Sequence, residues 1–121
     1  MKEVLVVGHC DQDHPQITSL IEGNFSAKVT RSKLLEDTKQ LLRKHNYDLV
    51  IINRIGAFDQ ESGIELIKEI KNVGWCEAPI MLVTNLKDQM DLAVQCGAVL
   101  GYGKDKLYDR ETIKLLGNYL I

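Results

Sequence analysis

Apolar residues along this chain fall into short unbroken runs, separated by stretches in which they recur every three or four positions. Val4-Leu5-Val6-Val7, Leu49-Val50-Ile51-Ile52 and Ile80-Met81-Leu82-Val83 are such runs. A run with no polar interruption fits a strand buried on both faces, as in a parallel sheet covered by helices on either side. Ala27-Lys28-Val29-Thr30 is shorter and more polar, which suits an edge strand, and Val99 to Tyr102 fits a fifth strand. Between the runs the period lengthens. Ile17, Leu20 and Ile21 share one side of a helix that starts near Pro15, with Asp13 or His14 as its cap, and that stops at Gly23. Ser32 suits the cap of a second helix carrying Leu34, Leu35, Thr38, Leu41, Leu42 and His45. A loop over Arg54 to Ser62 leads to a third helix opening at Gly63, with Ile64, Ile67, Ile70 and Val73 inward. Met90 to Cys96 fits a fourth helix ending at Gly97, and Asp109 caps a fifth bearing Ile113, Leu116 and Leu120.

Strand and helix therefore alternate five times over. This implies βαβ units, right-handed crossovers and a parallel sheet. The expected fold is α/β: a flavodoxin-like, doubly wound (βα)5 three-layer sandwich with strand order 2-1-3-4-5. The chain is 121 residues long, with 45% hydrophobic and 26% charged residues. These values fit a single soluble domain over residues 1–121. A net charge of −2 gives no general attraction to nucleic acid or to an anionic membrane. No apolar stretch approaches the roughly 20 residues of a membrane span, and Met1-Lys2-Glu3-Val4 runs straight into a strand rather than a signal peptide. The three cysteines, Cys10, Cys76 and Cys96, form no CxxC pair, and an odd number cannot all pair internally. They read as reduced thiols, and the expected location is the cytoplasm.

In an open α/β sheet, ligands bind beyond the carboxyl ends of the strands. The residues there are Gly8, His9 and Cys10 after the first strand, Asn53 on the third, Thr84 on the fourth, and Gly103 and Lys104 after the fifth. The order and spacing of VLVV (4–7), DLVIIN (48–53), SGIELIKEIK (62–71), APIMLVTN (78–85) and CGAVLGYGK (96–104) resemble the receiver domains of two-component response regulators over essentially the whole chain. That resemblance implies a phosphoacceptor Asp at the third strand's end, an Mg²⁺-binding acidic pair after the first strand, and a Thr and a Lys for the phosphoryl oxygens. Thr84 and Lys104 match the last two. Asn53 stands at the acceptor place, and Gly8 and His9 stand where the acidic pair belongs. The family's switch aromatic falls at Gly101, with Tyr102 one place later and so on the opposite strand face. Gly56-Ala57 replaces a frequent Met-Pro, Asp105 replaces the Pro that usually follows the Lys, and the loop after Asn53 is about two residues longer than is usual.

An amide is a poor nucleophile where an aspartate would attack phosphorus. Mg²⁺ wants anionic oxygen ligands, and positions 8, 9 and 53 forgo about three formal negative charges relative to the family's pocket. The expectations are a pseudo-receiver with Mg²⁺ binding lost or weak, no cofactor, no metal and no enzymatic activity. It would take part in two-component (phosphorelay) signalling by protein–protein contact. The resemblance implies a protein partner or a twin copy docking on the fourth helix, fifth strand and fifth helix, from Lys87 to Gln95, Val99 to Tyr102 and Tyr108 to Asn118, with Tyr108 or Tyr119 as anchors.

Other readings stay open. A conventional receiver would use Asp59 or Glu61 as substitute acceptor. Asn53 can equally cap its strand end by bonding nearby backbone. Lys104, Thr84 and His9 can make an anion pocket, and a small flavodoxin-fold cofactor binder is a further class, although no GxGxxG or GxxxxGK[ST] loop is present. The two histidines, thiol and two carboxylates of residues 9–14 match no standard zinc spacing. Cys10 has no identifiable base, and Asp11 and Asp13 are expected to face solvent or cap the first helix.

Overall fold

The unbroken apolar runs become the middle of a parallel sheet. In the computed structural model, which describes residues 1–74 and 76–121, β1 (Lys2–Val7) lies between β2 (Ala27–Ser32) and β3 (Leu49–Asn53), and β4 (Ile80–Val83) flanks β3. Register is set by Val4 opposite both Val29 and Leu49, and by Val50 opposite Ile80. The helices are α1 (Asp13–Asn24), α2 (Leu35–Lys44), α3 (Gly63–Val73), α4 (Lys87–Gln95) and α5 (Arg110–Leu120).

Alternate strand residues serve opposite faces. Val4, Val6, Leu49, Ile51, Met81 and Val83 pack with Ile17, Ile21, Leu116 and Leu120 of α1 and α5. Leu5, Val7, Val50, Ile52, Ile80 and Leu82 pack with Leu35, Ile64, Ile67, Ile70 and Ala93 of α2, α3 and α4. Each such side chain, once fully buried, contributes roughly 1.5–3 kcal/mol. This is the expected three-layer α/β arrangement.

Among the described residues the sheet has four strands in the order β2-β1-β3-β4, not five in the order 2-1-3-4-5. Val99 to Tyr102 runs beside β4 but makes only one parallel bridge, Met81 with Val99. It is tethered by Val99 N–H to Ile80 O (2.8 Å) and Thr84 N–H to Tyr102 O (3.3 Å). Gly101 explains the difference. Its backbone lies so close to Leu82 that a Cβ there would overlap the Leu82 carbonyl oxygen, and a glycine inside a strand often marks such close approach.

Several helix ends also differ from expectation. α1 runs through Gly23 to Asn24, whose amide donates to Leu20 O. Ser32 ends β2 rather than capping α2, and its hydroxyl bonds Leu34 O and Thr38 Oγ1. The first free N–H of α2, at Leu35, is instead met by the Asp59 carboxylate at 2.9 Å. Val73 is half exposed rather than part of the α3 core face. At the start of α3, Ser62 accepts from Glu65 N–H, the N-cap arrangement that the SGIE stretch encodes.

Candidate functional site

β1 and β3 end side by side, and the next residues part to opposite sides of the sheet. Gly8 takes a left-handed backbone (φ +79°) and turns toward α2 and the β3–α3 loop. A Cβ at this position would lie 2.6 Å from Leu35 Cδ1 and 3.3 Å from Gly56 Cα. The Asn53 amide donates to Gly8 O at 3.3 Å and to Ile55 O at 3.0 Å. Ala57 N–H donates to the same Gly8 oxygen at 2.9 Å. Asn53 thus staples its own loop to the end of β1. The loop is closed further by a bridge between Ile55 and Ser62, and by Asp59, which also accepts from Glu61 N–H at 3.2 Å. Phe58 at the loop tip lies under Lys33 Nζ, 4.7 Å from its ring centre, and near Arg31.

His9 turns the other way and is almost wholly buried, at 2% exposure. Neither ring nitrogen has a hydrogen-bond partner; the Val7 backbone lies near the ring without meeting hydrogen-bond geometry. Burial holds the ring's pKa down at about 4, with Asp13 opposing that shift and His14 and Lys104 reinforcing it. The imidazole is therefore neutral at pH 7. Tyr102 is buried within the α1–α5 core, its hydroxyl also unpartnered, and burial beside Asp13 pushes that hydroxyl well above the usual phenol range. Asp13, in the first turn of α1, forms an ion pair with Lys104 at 3.0 Å. Burial alone would raise the Asp13 carboxyl, but Lys104, Cys10 and His9 outweigh it and hold the group below the usual carboxylate range. These side chains line a pocket of about 200 Å³ with Ile17, Val83, Leu107 and Tyr108.

Thr84 and Lys104 stand over a neighbouring crevice with Asn53, Arg54 and Ile55. The Thr84 hydroxyl accepts from Leu86 N–H at 3.1 Å, shaping the lead into α4. Asp105 N–H donates to Asn85 Oδ1 at 2.9 Å. A proline after Lys104 could not make that bond, so Asp105 ties the lysine's loop to the end of β4.

The sequence-selected residues thus divide. Asn53, Gly8, Thr84 and Lys104 gather at one sheet end, with His9 and Tyr102 beside them on the α1–α5 side. Gly101 lies against the β4 backbone and offers no side chain. Asp13 is the member that sequence reasoning misplaced, as a cap or solvent group. Its position one turn before Ile17 puts it on the inward face of α1 and was the available signal. Asp11 does face solvent, paired with Arg31 at 2.9 Å. The residues present do not fit Mg²⁺. Positions 8, 9 and 53 supply no carboxylate, and Asp13, the carboxylate lining the adjoining pocket next to His9, is engaged by Lys104. An anion is no better served, since Asp13 offsets the lysine and His9 is neutral. Among the described residues, no group of three His, Cys, Asp or Glu side chains is placed to hold a metal.

No family model matches the chain, and no curated protein matches it. Solved structures do. A response regulator from Chloroflexus aurantiacus superposes with a TM-score of 0.84 at 19% identity, covering 98% of this chain and 96% of that one. This is the receiver fold. A Burkholderia pseudomallei response regulator bearing a phosphorylated aspartic acid and a calcium ion matches with a TM-score of 0.75 at 14% identity, over 100% of this chain and 67% of that one. The beryllofluoride-activated NtrC4 receiver domain dimer matches with a TM-score of 0.77 at 18% identity, over 98% and 99%.

Proposed function

We propose that this receiver-fold chain is a pseudo-receiver: a cytoplasmic signalling module in a two-component system that is not phosphorylated, does not use Mg²⁺, is not an enzyme, and acts through protein–protein contact. One observation carries the reading. The acceptor place is uncharged and its side chain is tied down, because the Asn53 amide, which lines the crevice beside Thr84 and Lys104, donates to Gly8 O and Ile55 O. Phosphoryl transfer needs an anionic nucleophile and charge-neutralising groups in line with it. Here the nucleophile is an amide pinned to backbone, and Lys104 is paired with Asp13.

Of the two substitute acceptors, Asp59 is the poorly placed one. Both Asp59 oxygens are engaged, one at the start of α2 and one at Glu61 N–H. On the face proposed for docking, Leu92 and Val94 of α4, Leu100 and Tyr108 are all exposed. Tyr119 packs partly against the core, so Tyr108 is the better anchor. No helix among the described residues is long and apolar enough to cross a membrane.

The test is incubation with acetyl phosphate and Mg²⁺, read by intact-mass spectrometry. The expected result is no mass gain of a phosphoryl group. An acid-stable, hydroxylamine-labile adduct would overturn the reading. Sedimentation equilibrium of the wild type and of Leu100→Asp asks whether the docking face takes a twin copy.

A further inference from the structure

We propose that the crevice beyond the ends of β3 and β4 reversibly binds hydrogen phosphate, and that Asn53 reads the proton this ion carries. The inference rests on the reading above, in which no phosphoryl group is transferred here. Reversible binding leaves the intact mass unchanged, so the failure of one is told apart from the failure of the other.

Three observations carry it. The first is charge. Arg54 and Lys104 line the crevice, and among the described residues no carboxylate does. Asp13, the partner of Lys104, lines the pocket on the other side, and a pair as exposed as theirs is weak. The residues selected from the sequence therefore carry no net charge of their own. Arg54 was not among them, and it tips the crevice positive. The second is an arginine with nothing to hold. Arg54 is half-buried, yet its guanidinium makes no ion pair and no hydrogen bond among the described residues. Its nitrogens are not among the buried atoms that lack a partner, so they reach solvent. A planar guanidinium fork fits two oxygens of a tetrahedral anion, and such charge-assisted bonds are the strong ones. The third is the pattern of donors and acceptors. Both protons of the Asn53 amide go to backbone, at Gly8 O and Ile55 O, so the end left over is Oδ1. That oxygen takes no hydrogen bond and also reaches solvent. Asn85 Oδ1 accepts from Asp105 N–H, which leaves the Asn85 NH₂ to donate. The crevice thus sets donors on Arg54, Asn85 and Lys104 against one acceptor on Asn53. Hydrogen phosphate meets both kinds: its bare oxygens accept and its O–H donates. Sulfate has no O–H at neutral pH and would press an oxygen against Asn53 Oδ1. The volume of about 340 Å³ takes one such ion with several waters.

The test titrates the ¹⁵N-labelled whole chain with inorganic phosphate at pH 8, with ionic strength held constant by chloride. Phosphate is expected to give saturable shifts at the Asn53 side-chain amide, at Arg54 Nε and at the backbone amides of Thr84 and Asn85, and to raise the melting temperature. Sulfate should bind at least about tenfold more weakly. Methyl phosphate separates the free ion from phosphate carried on an organic group. Its second proton leaves near pH ~6, so at pH 8 it has no O–H and should follow sulfate. Arg54→Met should weaken phosphate about tenfold or more. If that variant does not fold, Lys104→Met at a half-exposed side chain carries the same expectation. The proposal fails if phosphate gives no saturable shift at millimolar concentration. It fails equally if sulfate or methyl phosphate binds as well as phosphate, or if both variants bind phosphate like the wild type.

Discussion

Two neighbouring residues at the end of β1 meet opposite fates. On the Gly8 side, polar groups are spent: one carbonyl oxygen takes hydrogen bonds from the Asn53 amide and from Ala57, and the loop folds down onto it. On the His9 side, polar groups are buried and left over. The first arrangement fastens the loop after β3 to the end of β1 and leaves the crevice beside Thr84 and Lys104 open. The second keeps its unpartnered polar atoms sealed inside the packing of α1 and α5. A polar group removed from water without a partner costs free energy, whereas a paired one is close to neutral. The two sides should therefore respond very differently to substitution, to pH and to added ligand.

The largest expected effect is on the Gly8 side. Gly8→Asp places a Cβ at a left-handed position and against Leu35 and Gly56. The backbone strain costs about 1–2 kcal/mol and overpacking about 1–3 kcal/mol more. Urea unfolding should show a total loss of ~2–5 kcal/mol, and calorimetry should detect no Mg²⁺ binding even when His9→Asp and Asn53→Asp are combined with it. Restored Mg²⁺ affinity in the triple variant would show that carboxylates at these three positions suffice for Mg²⁺ despite the loop's attachment to Gly8.

Next comes pH, which tests the His9 side. The His9 ring is held at about 4 against an ordinary 6.5, chiefly by burial, with Asp13 opposing and His14 and Lys104 reinforcing. The unfolded chain therefore binds a proton between these values that the folded chain refuses. Stability is complete above pH 6.5 and falls as pH drops toward 4, by ~3 kcal/mol at 1.36 kcal/mol per pH unit. Carboxylate losses at Asp11 and Asp13, both held low, come at still lower pH. Unfolding midpoints measured from pH 7 to pH 4 should show the decline, and His9→Leu should flatten it. A flat wild-type profile would mean that water or a hydrogen bond already serves the ring.

Much of this layout was legible in the sequence, for local reasons. Uninterrupted runs such as Leu49 to Ile52 can only be central strands in a chain this short, and SGIE writes its own helix start. The fifth strand was misread because Val99 to Tyr102 has the right apolar character. What defeats it is a backbone contact between Gly101 and Leu82, which no periodicity reports. The Asp13–Lys104 pair joins residues far apart along the chain, and the Asp59 bond to Leu35 likewise crosses from the β3–α3 loop to the start of α2. Long-range polar pairs leave no spacing signature. Only the inward phase of Asp13 on α1 hinted at its role. The absent carboxylates at 8, 9 and 53 were visible, but the loop that bonds back onto Gly8 was not.

Asp59→Ala tests that attachment at smaller scale. Losing an N-cap acceptor costs about 1 kcal/mol, and the Leu35 amide should exchange faster with solvent while the core strands do not. If exchange at Leu35 is unchanged, the loop is held by Asn53 and Ala57 alone.

The smallest effect belongs to the Asp13–Lys104 pair that borders both regions. Its two side chains are 27% and 51% exposed, so solvent screens much of their attraction, and exposed pairs are worth at most about 1 kcal/mol. A double-mutant cycle with Asp13→Asn and Lys104→Met should give a coupling below that figure, shrinking further in 1 M salt. A coupling that weak leaves Lys104 and Asp13 free to part, so the pair by itself bars neither a phosphoryl oxygen nor a metal. Coupling of several kcal/mol that salt does not weaken would instead place the pair inside the sealed region, and would move the boundary between the two sides of β1 past Lys104.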